Sequence, residues 1–305
     1  MKNLVKRFRK KIRDLLDSNS LVESERQKLL MGKILSNQIK NEEFQVKSLK
    51  DVEFSIFSQF GDDGIIQWLI QNLEIPHKTF IEFGVEDFSE SNSRFLMMND
   101  NWSGFVMDGS ETNINSLKSS YYYWKYELNS KAVFIDKDNI NNLIQEQKFD
   151  REVGLLHIDL DGNDYYIWDE INVIEPIIVI VEYNGIFGKN RPLSTIYDKN
   201  FQRNKTHYSN LLFGSSLKSL YQLADKKGYS FIGCNSGGNN AYFVRDDKLN
   251  DVVKPVTLEQ GYVEFKYRQS RNKNGNLSLL NKTEERALLK DVDVYNTSTK
   301  TVEKF

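Results

Sequence analysis

Short apolar runs alternate five times with segments of helical period, and that alternation narrows the architecture more than any other feature of the chain. KTFIEFGV, GFVMDGS, KAVFID, VGLLHIDLDG and PIIVIVEYN read as strands. GIIQWLIQNL precedes the first strand as a helix, and SNSRFLMMND, INSLKSSYYYWKYEL, DNINNLIQEQ and YYIWDEI fall between the others as helices. Strands spaced by helices pair in parallel and bury both faces, so the pattern predicts a doubly wound, Rossmann-like α/β sheet. A helix, SSLKSLYQLADKKG, then leads into YSFIGC and AYFVRD, joined across NSGGNN. So short a connection makes the last strand antiparallel, a terminal hairpin strand.

Three segments follow from this reading. Residues 1–45 form a basic, amphipathic N-terminal helical segment, 46–250 the α/β domain, and 251–305 a polar, less regular C-terminal extension. In residues 1–16, seven Lys or Arg stand beside one Asp, while Leu4, Val5, Phe8, Ile12, Leu15 and Leu16 recur at helical spacing. A stripe of this kind suits peripheral contact with an anionic membrane, or packing on the body or on a second copy of the chain in a homo-oligomer. The 305 residues carry a net charge of −2, which offers no general attraction to nucleic acid. A single cysteine, Cys234, excludes an internal disulfide and a cysteine-based zinc site, and fits a reducing compartment. A cytoplasmic protein is expected, with any membrane contact at the inner face.

Ligands in doubly wound folds lie at the carboxyl edge of the strands. Five βα units closed by an antiparallel strand are the pattern of class I S-adenosylmethionine (SAM)-dependent methyltransferases, and the strand ends can be read accordingly. Glu82 and Gly84 close the first strand, where a carboxylate and a glycine suit an aminocarboxypropyl group and close backbone approach. Asp108 ends the second, in the position of an acceptor for ribose hydroxyls, and Asp136 ends the third, where it could accept from an adenine amino group. The fourth strand runs into LLHIDLDGND, in which alternation puts His157, Asp159 and Asp161 on one face. With Glu182 and Asn184 of the neighbouring fifth strand, Asp159 and Asp161 form a hard oxygen set suited to Mg²⁺ or another divalent cation. Without a metal, one carboxylate or His157 would serve as general base; a core role is the plainer reading of His157. The stretch 185–210 is long for a connection and carries Lys189, Arg191, Arg203, Lys205 and His207, as an acceptor-binding loop for a phosphate-bearing ligand would.

FSQFGDDGII, FIEFGV with its Ser/Asn loop, HIDLDGNDYYIW, IVIVEYN and GYSFIGCNSGGNNAYFVRDD together resemble the FkbM-like SAM-dependent methyltransferases over roughly residues 55–250. The resemblance implies methyl transfer to an oxygen, commonly a sugar hydroxyl. It places Glu82 and Gly84 in the first cofactor motif, Asp108 as the ribose-binding acid, Asp159 at the tip of strand four, and Gln59 and Gly61 in a segment covering the cofactor. Asp108 and Asp161 stand where Glu is more usual. The expected activity is SAM-dependent O-methylation of a saccharide or nucleotide-linked sugar in glycan or polysaccharide biosynthesis. Its alternatives are a non-catalytic glycan- or nucleotide-binding module and another metal-dependent sugar-nucleotide transferase.

Overall fold

The computed structural model describes residues 2–40 and 46–305, without the side chains of residues 2–19 and Leu21. The expected apolar stripe of residues 1–16 and the stretch 41–45 therefore lie outside the described residues. Helix α1 (Lys2–Ile39) runs through the Ser/Asn stretch that the sequence suggested as a break. Its C-terminal turns dock through small residues: a Cβ at Gly32 would stand 2.5 Å from the Phe95 ring, and Ser36 donates to Gln67 at 2.6 Å. No described helix is long and apolar enough to cross a membrane.

The elements that follow are α2 (Asp62–Asn72), β1 (Thr79–Phe83), α3 (Arg94–Asp100), β2 (Ser103–Asp108), α4 (Glu111–Lys118) and β3 (Leu128–Ala132). Next come α5 (Ile140–Gln145), β4 (Leu155–Ile158), α6 (Asp164–Glu170) and β5 (Ile178–Glu182). The short β6 (Leu193–Ser194) and α7 (Arg203–Thr206) precede α8 (Leu217–Lys227), β7 (Tyr229–Cys234) and β8 (Asn240–Arg245). The chain ends in α9 (Leu258–Gly261), α10 (Lys282–Leu288), β9 (Asp293–Asn296) and β10 (Thr301–Lys304).

The main sheet has the order β3-β2-β1-β4-β5-β8-β7. β1 to β5 run parallel, while β8 is antiparallel to both its neighbours. This is the doubly wound, Rossmann-like sheet with a terminal antiparallel strand that the alternation predicted. The central strands are apolar on both faces because both are covered: every residue of β4 is buried, as are Ile178 to Val181 of β5. The strand order reverses between β1 and β4, which opens a crevice at their carboxyl ends.

Two features depart from the sequence reading. The third strand lies at Leu128–Ala132, four residues before the expected KAVFID ending, because pairing with β2 runs from Gly104 opposite Leu128 to Asp108 opposite Ala132. Residues 251–305 do not form a loose tail. β9 pairs with β10 and with β6, making a second, three-stranded sheet out of the 185–210 stretch and the C-terminus. Phe187, Leu193, Leu211, Leu289 and Val294 form a small core beneath it.

Candidate functional site

A cavity of about 630 Å³ opens along the carboxyl edge from β3 to β5. One wall comes from β1, β2 and the turn after β3; the other comes from the ends of β4 and β5, α7 and residues 265–269.

On the first wall, Glu82 is buried and its carboxylate is fully engaged. Oε1 accepts from the Asn92 amide at 2.9 Å and from His157 Nδ1 at 3.0 Å. Oε2 accepts from the Ser91 hydroxyl at 2.6 Å and from the Ser93 amide and hydroxyl. Glu82 and His157 sit opposite each other in the β1–β4 register, so the contact follows from strand pairing. Burial raises the Glu82 carboxyl, but His157 and the serines outweigh it and leave the pKa below its usual range. Burial lowers the His157 imidazolium, and Glu82 outweighs that in turn, so its pKa lies above 6.5. The result is a buried ion pair that clasps the β1–α3 loop. His157 is buried with the side chains of Glu82 and Asn92 as its partners, and it also lines the cavity.

Gly84 follows with φ +71°, and a Cβ there would stand 1.7 Å from the Asp159 carbonyl oxygen. The close approach that requires a glycine is to the end of β4. Asp108 lines the cavity, its Oδ1 accepting from Ser110 at 2.7 Å and its Oδ2 from the Glu86 amide at 2.9 Å. Gln59 lines the same cavity. The preceding loop is anchored by the paired aspartates of FSQFGDDG. Asp63 Oδ2 accepts from the amides of Ile56, Phe57 and Ser58 at 2.6–2.9 Å. Asp62 accepts from Asn235, Asn240 and Tyr242 of the β7–β8 hairpin.

On the second wall, Asp159, Asp161 and Glu182 converge, each offering an oxygen within 4.8 Å of the others. The strand stops at Ile158, and Asp161 adopts φ +57°, so plain alternation does not carry the Asp159–Asp161 pairing. A turn does. Asp164, fully buried, accepts from the Leu160 amide at 2.7 Å and the Gly162 amide at 3.0 Å, closing the chain on itself between the acids. Burial first, and the neighbouring Asp161 second, push the Asp159 carboxyl up to about 7. Burial and Asp159 likewise hold Glu182 well above its ordinary range. Arg203 of α7 answers part of this charge, reaching Asp161 at 2.7 Å while its guanidinium lies 3.5 Å over the Phe213 ring.

Several expected ligands are elsewhere. Asn184 is buried, donating to the carbonyls of Leu211 and Phe213 at 2.8 and 2.9 Å and accepting from Ile186, so its amide is committed to the fold and not to a metal. Asp136 lies past the end of β3, its carboxylate accepting from Asp138 and Asn139 at 2.9 Å; Phe134 and Ile135 line the cavity there instead. Gly61 precedes α2, where a Cβ would strike Glu53 at 2.3 Å, and it does not line the cavity. Of the five basic groups in 185–210, Arg203 alone lines the cavity. Lys189 pairs with Glu259 and Arg191 with Glu303.

The sequence reading passed over Phe265, Tyr267 and Gln269, which line the cavity from the C-terminal extension. Tyr267 stacks on Phe60 with ring centroids 4.4 Å apart. The available signal was alternation: F-x-Y-x-Q presents every second residue of an extended segment to one side.

No family model matches the chain, and no curated protein matches it. Among solved structures, it is similar to an O-methyltransferase from Bacillus cereus in complex with SAH, at 12% identity and a TM-score of 0.40, over 72% of this chain and 91% of that one. A putative caffeoyl-CoA O-methyltransferase from Staphylococcus aureus shows 13% identity and a TM-score of 0.38 over 60% and 82% of the two chains. A SAM-dependent methyltransferase from Clostridium acetobutylicum shows 9% and 0.35 over 60% and 90%. At these identities and scores the neighbours carry no information about individual residues; the fold rests on the strand order itself.

Proposed function

We propose that this chain is a SAM-dependent O-methyltransferase whose acceptor is a hydroxyl of a saccharide or nucleotide-linked sugar. One observation carries the reading: a single cavity along the carboxyl edge joins a wall ordered around Asp108 to a wall where burial and crowding push the Asp159 carboxyl up to about 7 and hold Glu182 well above its ordinary range. The nucleoside would lie against Gly84, Asp108 and Phe134. Glu82 is a positioning residue, since its oxygens are spent on the loop that faces the cofactor. In the transfer the carbon–sulfur bond breaks as the carbon–oxygen bond forms, and Asp159 takes the hydroxyl proton. Alignment of donor and acceptor supplies most of the remaining rate.

A metal-assisted form of the same reaction is favoured by Glu182 Oε2, which is buried and has no hydrogen-bond partner among the described residues. Asp159, Asp161 and Glu182 would hold a hard divalent cation such as Mg²⁺. It would supply charge that lowers the pKa of the acceptor hydroxyl. Excess chelator separates the two forms, since activity that survives it belongs to the direct base.

Calorimetry with SAM on the full chain tests the reading. Saturable binding is expected, weakened at least about tenfold, or ~1.4 kcal/mol, in Asp108→Ala. Absence of binding at millimolar SAM would sink the enzyme and leave a binding module on the same fold.

A further inference from the structure

Four side chains on the acceptor side of the cavity hold buried polar atoms without a partner among the described residues: Asn163 Oδ1, Glu182 Oε2, Asn240 Oδ1 and Gln269 Nε2. The two asparagines cannot be turned to relieve this. Asn163 Nδ2 donates to the Asp198 carbonyl at 2.8 Å, and Asn240 Nδ2 donates to Asp62 Oδ1 at 3.0 Å. Flipping either amide would set oxygen against oxygen, so both Oδ1 atoms stay as acceptors in want of a donor. Buried polar groups are nearly always satisfied, and a group of orphans on one cavity wall points to a ligand that satisfies them.

The charge of that wall limits what the ligand can be. Seven lining residues of the whole cavity are Asp or Glu, while His157 and Arg203 are its basic ones. His157 is paired with Glu82 and Arg203 with Asp161, so neither is free to meet an anion. A phosphate brings acceptor-only oxygens, which have no proton to give to the Asn163 and Asn240 oxygens that want a donor. A hydroxyl, which both donates and accepts, suits the asparagine oxygens and the Gln269 amide together.

We propose that the acceptor is a neutral polyhydroxylated ligand, a saccharide without phosphate, and that Gln269 with Asn163 and Asn240 grips its hydroxyls. The inference rests on the methyl-transfer reading above and chooses between the two acceptor forms left open there. It makes the C-terminal segment 265–269 a determinant of acceptor specificity, separate from the cofactor wall. Tyr267, stacked on Phe60, holds that segment in register with the cavity.

The test uses the full chain with SAM and a panel of methyl glycosides of common hexoses and 6-deoxyhexoses, beside the matching sugar 1-phosphates and uridine diphosphate sugars. Methylated product is read by mass. At least one neutral glycoside is expected to be methylated with kcat/KM about tenfold or more above its phosphorylated counterpart. For that glycoside, Gln269→Ala should raise KM by about tenfold, with kcat and SAM affinity within about twofold of the parent. Gln269→Glu, close in shape, should impair neutral acceptors similarly and confirms that the effect is not loss of folding when its thermal midpoint matches. Preference for the phosphorylated sugars, an unchanged KM in both variants, or silence from the whole panel overturns the proposal. Calorimetry on the same sample tells which reading has failed: intact SAM binding confines the failure to the acceptor, and lost SAM binding removes the enzyme reading beneath it.

Discussion

The two walls of the cavity are built from the same kind of residue and behave oppositely. On the β1–β2 side, Glu82 takes five hydrogen bonds and Asp108 is held by amides of its own loop and the next. On the β4–β5 side, three carboxylates crowd one another, and Glu182 Oε2 is left without a partner among the described residues. The first wall spends its polar groups on the fold and so is rigid before any ligand arrives. The second keeps them unspent, at a cost in stability, which is what a site reserved for chemistry requires.

The largest expected effect comes from the unspent wall. Asp159→Asn should lower kcat by about 10²–10⁴-fold, the range for loss of a general base, with SAM affinity little changed. In the parent chain the base must be ionised, so kcat should rise with pH and level off above about 7, where the Asp159 carboxyl loses its proton. A flat profile from pH 5.5 to 8.5, or a loss under threefold in the variant, would erase the contrast between the walls.

The spent wall should answer in stability. Glu82→Gln leaves His157 buried without its counter-charge, and breaking such a pair costs about 3–5 kcal/mol. The pH dependence has a definite sign. The lowered Glu82 pKa contributes stability above 4.5 that is lost as pH falls through the folded value. The raised His157 pKa contributes stability below 6.5 that is lost as pH rises through the folded value. The pair therefore acts fully between about 4.5 and 6.5, and denaturation of parent and variant should differ most within that window.

A smaller effect sharpens the boundary of the site. Asn184→Ala should cost about 1–3 kcal/mol by stranding the Leu211 and Phe213 carbonyls. Turnover at saturating substrate should be unchanged in the folded fraction. A selective loss of activity with stability intact would return Asn184 to the candidate ligands.

The parallel strands were legible in the sequence because burial on both faces writes them as continuous apolar runs. β3 was not, since it is an edge strand of sequence LNSKA, while the more apolar VFI after it belongs to the cavity wall. That displacement carried Asp136 out of its expected place. The second sheet was hidden for another reason: β6 is two residues long and its partner β9 lies about a hundred residues downstream, a pairing no local pattern announces. Among the cavity-lining residues, Glu82, Asp108, Asp159, Asp161 and Glu182 were readable as polar groups at or just past strand ends, and Gly84 as the glycine after β1. Arg203 was visible only as one of five basic residues, and Gln269 became visible only when the C-terminal segment folded back.

Gly84 joins the two walls at a single point, because the Asp159 carbonyl occupies the space its side chain would need. The β4–β5 wall could be re-cut at Gln269, whose Nε2 has no partner among the described residues, with little disturbance to the rest. Position 84 has no such latitude. Any side chain there would shift the end of β4 and the β1–α3 loop in one stroke, so the fold ties its two walls to one untunable joint and leaves divergence to the periphery.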